Sequence, residues 1–175
     1  MILPGGCGSD QKETLVLFDF ESEEGLDQLN WKCHTLYSLS SQHAAHGTSS
    51  LKLEMYPSAY PGLSPVLTRR NWQGYGAFCF EVYNPMPHPV LLSLRIDDKK
   101  EALEYTGRYQ KSIQIQPGAN SIQIPLESLK TSETLRPLNL NTIHRFLVFM
   151  VNPGIRHVLH LDYFRLESFM QEVPK

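Results

Sequence analysis

Between residues 72 and 116 the chain alternates apolar and polar side chains with a period of two, and few folds accept that pattern in consecutive segments. Phe78, Phe80 and Val82 fall on one face, with Cys79, Glu81 and Tyr83 on the other. After a proline-dense break over residues 84–89, Leu92, Leu94 and Ile96 fall opposite Ser93, Arg95 and Asp97. Successive side chains of an extended backbone point to opposite sides, so each segment predicts a strand with one face in a core and one outside it. The polar faces are unusual for plain solvation. They carry Glu81, Tyr83, Arg95 and Asp97, and the next segment adds Tyr105, Arg108 and Tyr109. Planar rings mixed with fork-shaped donors and carboxylates suit a polyhydroxylated ligand.

The remaining segments extend the pattern. Residues 15–21 predict a first strand with Phe18 and Phe20 inward and Asp19 and Glu21 outward. A loop follows, in which Trp31 would cap the core. Residues 51–55 alternate again, after a turn cluster that begins at His43. Ile113 and Ile115 lead into a Pro117–Gly118 turn, and residues 121–126 form the next alternating run. Residues 146–151 are apolar on both faces, which predicts a strand buried on both sides or facing a cleft. Residues 158–166 make the last strand, and residues 127–140 are irregular or weakly helical. Eight to ten short strands, no long helix and no βα alternation predict an all-β fold of two packed antiparallel sheets, a β-sandwich. One domain is expected over residues 14–170, behind a disordered tail at 1–13.

Charge and motifs exclude several function classes. Sixteen basic and eighteen acidic residues leave a net charge of −2 with no basic block, which argues against nucleic acid. No apolar run reaches the length of a transmembrane helix. Cys7, Cys33 and Cys79 form neither a CxxC nor a Cys/His metal pattern, and their odd number argues against a disulfide framework. The N-terminal stretch is not an intact signal peptide, although the residues leading to Cys7 faintly resemble the end of a bacterial lipoprotein signal.

Six segments taken in order carry a resemblance: FDFE at 18–21, HGTSSLKLE at 46–54, NWQGYGAFCFEVYNP at 71–85, LSLRIDD at 92–98, PGANSIQIPL at 117–126 and HLDYFRLE at 160–167. The set resembles the jelly-roll carbohydrate-binding modules of galactose-binding-like fold that are appended to secreted glycan-active proteins. It spans roughly residues 14–168, and no single motif in it is diagnostic. The resemblance implies a non-catalytic module for a poly- or oligosaccharide, extracellular or at the cell envelope, within a larger glycan-active protein. It also implies a structural calcium where the first and last strands meet. Asp19, Glu21 and Asp162 match the acidic positions, and the loop from His46 to Lys52 would supply carbonyl oxygens. His43 and His46 are a thinner basis for a transition metal.

On the ligand side, Tyr83, Arg95, Asp97, Arg108 and Tyr109 match the strands of a concave sheet, with Trp72, Tyr75 and Tyr105 as walls. Aromatic faces would stack on sugar rings, and charged groups would bind hydroxyls. Read plainly, Trp72 is instead a core anchor, and Arg95–Asp97 a surface pair of little energetic consequence. On the binding reading, Arg95→Ala or Asp97→Ala removes ligand while leaving the melting temperature nearly unchanged. Two other classes compete. Glu81, Asp97, Asp98, Glu101 and Glu104 would furnish the carboxylate pair of a jelly-roll hydrolase or lyase, though no GxSxG, zinc or phosphate-loop motif is present. An adhesion or assembly module would show a flat apolar patch in place of an aromatic-lined groove.

Overall fold

The computed structural model describes residues 14–30, 33–101 and 107–168. The expectations placed on the 1–13 tail, Cys7, Trp31, Glu104 and Tyr105 lie outside those residues. Among them are ten strands: β1 (Thr14–Phe18), β2 (Thr35–Ser40), β3 (Ser50–Met55), β4 (Gly62–Leu63), β5 (Ala77–Asn84), β6 (Val90–Asp97), β7 (Arg108–Ile115), β8 (Gly118–Pro125), β9 (Arg145–Phe149) and β10 (His157–Glu167). They pair into two antiparallel sheets. One runs β2–β3–β10–β5–β8 with β1 also on β10, and the other runs β4–β9–β6–β7. Short 3₁₀ turns at Glu23–Gln28, Leu126–Ser128 and Leu140–Thr142 account for the weakly helical stretches.

The alternating residues meet between the sheets. Phe78, Phe80 and Val82 of β5, Leu51, Leu53 and Met55 of β3, and Leu92, Leu94 and Ile96 of β6 are all buried. An aromatic column runs through this layer, with Phe80 stacked on Phe164 at 4.9 Å and Phe146 tilted against Phe78 at 5.1 Å. Trp72 closes one end of it. Its ring is fully buried and stacks on Phe78 at 5.1 Å, and its indole N–H donates to the Arg69 carbonyl.

β10 breaks the two-residue period once. Leu159 and Leu161 face the core, but so do Phe164 and Leu166, which are out of phase with them. A bulge between Asp162 and Arg165, with Tyr163 at a positive φ of 50°, resets the alternation. β3 pairs with the first half of β10 and β1 with the second half, so the two lie end to end along one edge. Their junction is where the end of β1, the β2–β3 loop and Asp162 converge.

Candidate functional site

The four-stranded sheet presents its outer face as a set of cross-strand rows, because residues directly opposite one another in antiparallel strands share a side. Arg108, Asp97 and Arg145 form one row across β7, β6 and β9; Gln110, Arg95 and Leu147 form the next; Ser112, Ser93 and Phe149 follow. β4 closes the edge, with Gly62 packed so tightly over β9 that a Cβ there would overlap the Val148 carbonyl. A cavity of about 520 Å³ opens over this face. Arg95 and Leu147 form its floor, and Val66, Arg70, His144 and Arg145 stand around it.

Asp97 organises the floor. Its side chain is fully buried, and its two oxygens accept a fork from Arg95 Nε and Nη2, each at 2.8 Å, and a third bond from Arg145 Nε at 2.6 Å. Arg95 is therefore held as a plane across the strand surface. A buried carboxylate under two guanidiniums is not a surface pair of little consequence, and this burial runs against the nearly unchanged melting temperature expected for Asp97→Ala on the binding reading. The neighbouring Asp98 turns to a different partner, taking two bonds from Arg136 and one from the Asn139 N–H. Burial raises the Asp98 pKa, but those bonds outweigh it and hold the carboxyl below its usual range. His144 is shifted down, first by burial and then by the charges of Arg70 and Arg145.

Several residues that the pattern grouped together are separated in space. Tyr83 and Glu81 belong to β5, so they lie on the outer face of the other sheet, away from Arg95 and Asp97. Tyr109 faces the core opposite Ile96, which removes its ring from any ligand, and burial raises its phenol pKa. Trp72 is in the core, with no ring face left to stack on a sugar. Arg108 does share the outer face with Asp97. Pattern reasoning missed Arg145, Leu147, Arg70 and His144. The outward alternation Arg145–Leu147–Phe149 was available in the sequence, but Leu147 and Phe149 made the strand look apolar on both sides.

Tyr83 instead lines a smaller hollow of about 130 Å³ with His43, Asn120 and His160. His43 stacks on Tyr83 with centroids 3.5 Å apart, and His160 meets His43 edge-on at 4.8 Å. His160 is buried and its Nδ1 lies 3.2 Å from Ser50 Oγ. Burial first, and then His43, push its pKa down to about 4. His46 stacks on a different ring, Tyr163, at 4.1 Å, so His43 and His46 do not converge on a common point.

At the β1–β10 junction, Glu21 and Asp162 both engage the β2–β3 loop. Glu21 accepts from the N–H groups of Thr48 and Ser49 and from the Thr48 hydroxyl, which hold its carboxyl below the usual range. Asp162 Oδ2 accepts from the N–H groups of Ala45 (2.7 Å) and His46 (2.9 Å), and Oδ1 from that of Tyr163 (2.7 Å). Burial raises the Asp162 pKa against the pull of these bonds. Gly47, at φ +63°, makes the approach possible, since a Cβ there would overlap the Glu21 carboxylate. Calcium takes six to eight oxygens. Here every oxygen of Glu21 and Asp162 already faces N–H or O–H donors. Asp19 Oδ1 accepts from the Glu21 N–H at 3.5 Å. Among the described residues no three His, Cys, Asp or Glu side chains are grouped to hold a metal. Loop N–H groups and the Thr48 hydroxyl thus satisfy the two carboxylates and clasp the β2–β3 loop to the β1–β10 junction.

No family model matches the sequence, and none of the curated proteins does. Solved structures do. The family 11 carbohydrate-binding module from Clostridium thermocellum, in complex with a β-1,3-1,4-mixed-linked tetrasaccharide, superposes with a TM-score of 0.70 at 15% identity, covering 94% of this chain and 100% of that one. The fold is that of a carbohydrate-binding module. The CBM22-1 xylan-binding domain from Paenibacillus barcinonensis Xyn10C aligns at a TM-score of 0.59 and 11% identity, over 93% of this chain and 100% of that one. An exo-β-agarase matches at 0.69 and 17% identity over 89% of this chain, which spans only 25% of that enzyme. The jelly-roll β-sandwich expected from the ordered motifs is thus the observed fold.

Proposed function

We propose that this chain is a non-catalytic carbohydrate-binding module that takes a poly- or oligosaccharide along the outer face of its four-stranded sheet. The observation that carries the reading is the cavity over Arg95 and Leu147, where a guanidinium is already fixed in plane by Asp97. Preset donors beside apolar side chains are what a polyhydroxylated ring requires, since donors bind its hydroxyls and Leu147 and Val66 meet its C–H face. At the far edge Tyr60, half exposed, stands edge-on to Phe149 at 6.0 Å and adds an aromatic surface.

Catalysis fits less well. A glycosidase needs two carboxylates facing a common bond. Among the described residues, Asp97 is enclosed by Arg95 and Arg145, Asp98 by Arg136, and Glu81 pairs with Arg165 on the opposite sheet. A role in a larger extracellular or cell-envelope protein accords with the modules it resembles. No helix among the described residues is long and apolar enough to cross a membrane. Affinity electrophoresis against a panel of polysaccharides tests the proposal. Retardation on at least one gel that is lost in Arg95→Ala, with the variant still folded, is the expected result. Retardation that survives both Arg95→Ala and Arg145→Ala refutes the assigned face.

A further inference from the structure

His144 lines the cavity, half-buried, on the approach to β9. Two backbone bonds pin it there. The N–H of Ile143 donates to the Arg70 carbonyl at 2.9 Å, and that of His144 itself to the Asp97 carbonyl at 2.7 Å. Ile143 is fully buried, so the imidazole sits on a segment anchored from both sides. The ring hydrogen-bonds to none of the described residues. Arg70, Arg95 and Arg145 line the same cavity, and a guanidinium donates hydrogen bonds but never accepts them. The described lining side chains that can accept are His144, Asn30 and Ser64, and the Ser64 hydroxyl already gives its hydrogen to the Phe146 carbonyl.

Resting on the carbohydrate reading above, we infer that His144 is a ligand-binding residue of this site. Its neutral imidazole accepts the hydrogen of a sugar hydroxyl whose oxygen is held by a neighbouring guanidinium, so glycan binding is weakened in acid. A hydroxyl both donates and accepts. When a charged donor takes its lone pair and water is displaced, its own hydrogen still needs a partner, because a buried unsatisfied donor is costly. Neutral imidazole offers one lone pair for that hydrogen, and imidazolium offers none. Protonation therefore replaces the acceptor with another donor. The described charged groups that face His144 are Arg70 on the adjoining segment, Arg145 beside it in sequence, Asp97 at the end of β6 and Lys100 after it. Burial first, then Arg70 and Arg145, lower its pKa; Asp97 opposes them, Lys100 adds to them, and the net shift is downward from 6.5. The acceptor is thus intact at neutral pH and disappears as the pH falls below 6.5.

The test is affinity electrophoresis of the whole chain on gels of neutral β-glucan, xylan and agarose, from about pH 7.5 to about pH 4.5, with near-UV circular dichroism confirming the fold at each pH. At least one gel should hold the protein at neutral pH and release it by about fivefold in acid, the effect of one hydrogen bond lost. His144→Gln keeps an acceptor that does not titrate; it should bind within about twofold of the parent at neutral pH and show no pH dependence. His144→Leu should be about fivefold weaker at neutral pH and equally flat. Parent retention that is constant with pH, or that rises in acid, overturns the inference and leaves the carbohydrate reading standing. So does a pH dependence that persists in His144→Gln, or full retention by His144→Leu. Retention on none of the three gels also overturns the inference, and the wider polysaccharide panel then decides the carbohydrate reading on its own.

Discussion

Asp97→Ala should destabilise the protein, and the size of the loss follows from three bonds. The native carboxylate is fully buried and accepts from Arg95 twice and Arg145 once, at 2.6–2.8 Å. Removing one partner of a fully buried ion pair costs about 3–5 kcal/mol, because the remaining charge is left without solvent or partner. Here the remaining charges are only part buried: the Arg95 side chain keeps 14% exposure and that of Arg145 keeps 34%. Water can rehydrate part of both heads, so the cost falls to about 2–3 kcal/mol. For a chain of this size, about 2–4 °C is lost per kcal/mol, which gives a Tm drop of about 5–10 °C. Arg145→Ala leaves the Arg95 fork intact and should lose only about 0.5–1 kcal/mol. Asp97→Asn keeps the volume and one acceptor, and should fall between them. Scanning calorimetry of the three variants, with urea midpoints as a check, reads the ranking. A Tm for Asp97→Ala within about 2 °C of the parent, or a larger loss in Arg145→Ala, refutes the claim that Asp97 is the hub of this face.

Four further outcomes are expected. His160 has a native pKa near 4, against 6.5 when unfolded, so between those values the unfolded chain binds a proton that the native chain refuses and stability falls as pH falls. The loss is at most about 3 kcal/mol. Glu21, shifted down, adds to it at lower pH; Asp162, shifted up, opposes it; His160→Gln should flatten urea midpoints over pH 6.5–4. Gly47→Ala should lower Tm by several degrees, since the αL backbone alone costs roughly 1 kcal/mol and the new Cβ also displaces Glu21; an unchanged Tm refutes the clasp. Excess calcium and EDTA should give the same Tm, whereas a resident ion at a hundredfold its Kd would add about 2.7 kcal/mol, or roughly 5–10 °C. Tyr83→Ala should leave glycan retention unaltered, because its ring lies on the other sheet; lost retention moves the site to the His43–His160 hollow.

The sandwich was legible because its core-facing residues obey the period that extended backbone imposes. Phe78, Phe80 and Val82, like Leu92, Leu94 and Ile96, are buried as alternation requires. Where pattern reading fell short, the physical reason is local. β2 carries only a weak strand signal, because its sequence TLYSLS is half polar and its Leu36 is 60% exposed. The phase of β10 cannot be followed through Asp162-Tyr163-Phe164 without the bulge, because two successive core residues, Leu161 and Phe164, stand three apart.

The site was less legible, for a reason intrinsic to sandwiches. Alternation separates inside from outside, but a sandwich has two outsides, and period two carries no label for which one a strand presents. Tyr83 and Arg95 are both outward-facing residues of strands consecutive in sequence, yet the chain crosses from one sheet to the other between β5 and β6. The proline-dense connection at residues 84–89 is that crossing. Asn84 secures it with N–H bonds from its amide to the carbonyls of His88 and Ile115, the second of which lies at the end of β7 in the opposite sheet. A short hairpin turn would have kept β5 and β6 adjacent and their polar faces continuous. Six residues with three prolines, held across the layer by a buried Asn, instead place the tyrosine and the arginine on opposite surfaces. The proposed binding face is thus completed by β9, whose Arg145 and Leu147 lie some fifty residues further along the chain and adjoin β6 only through sheet pairing.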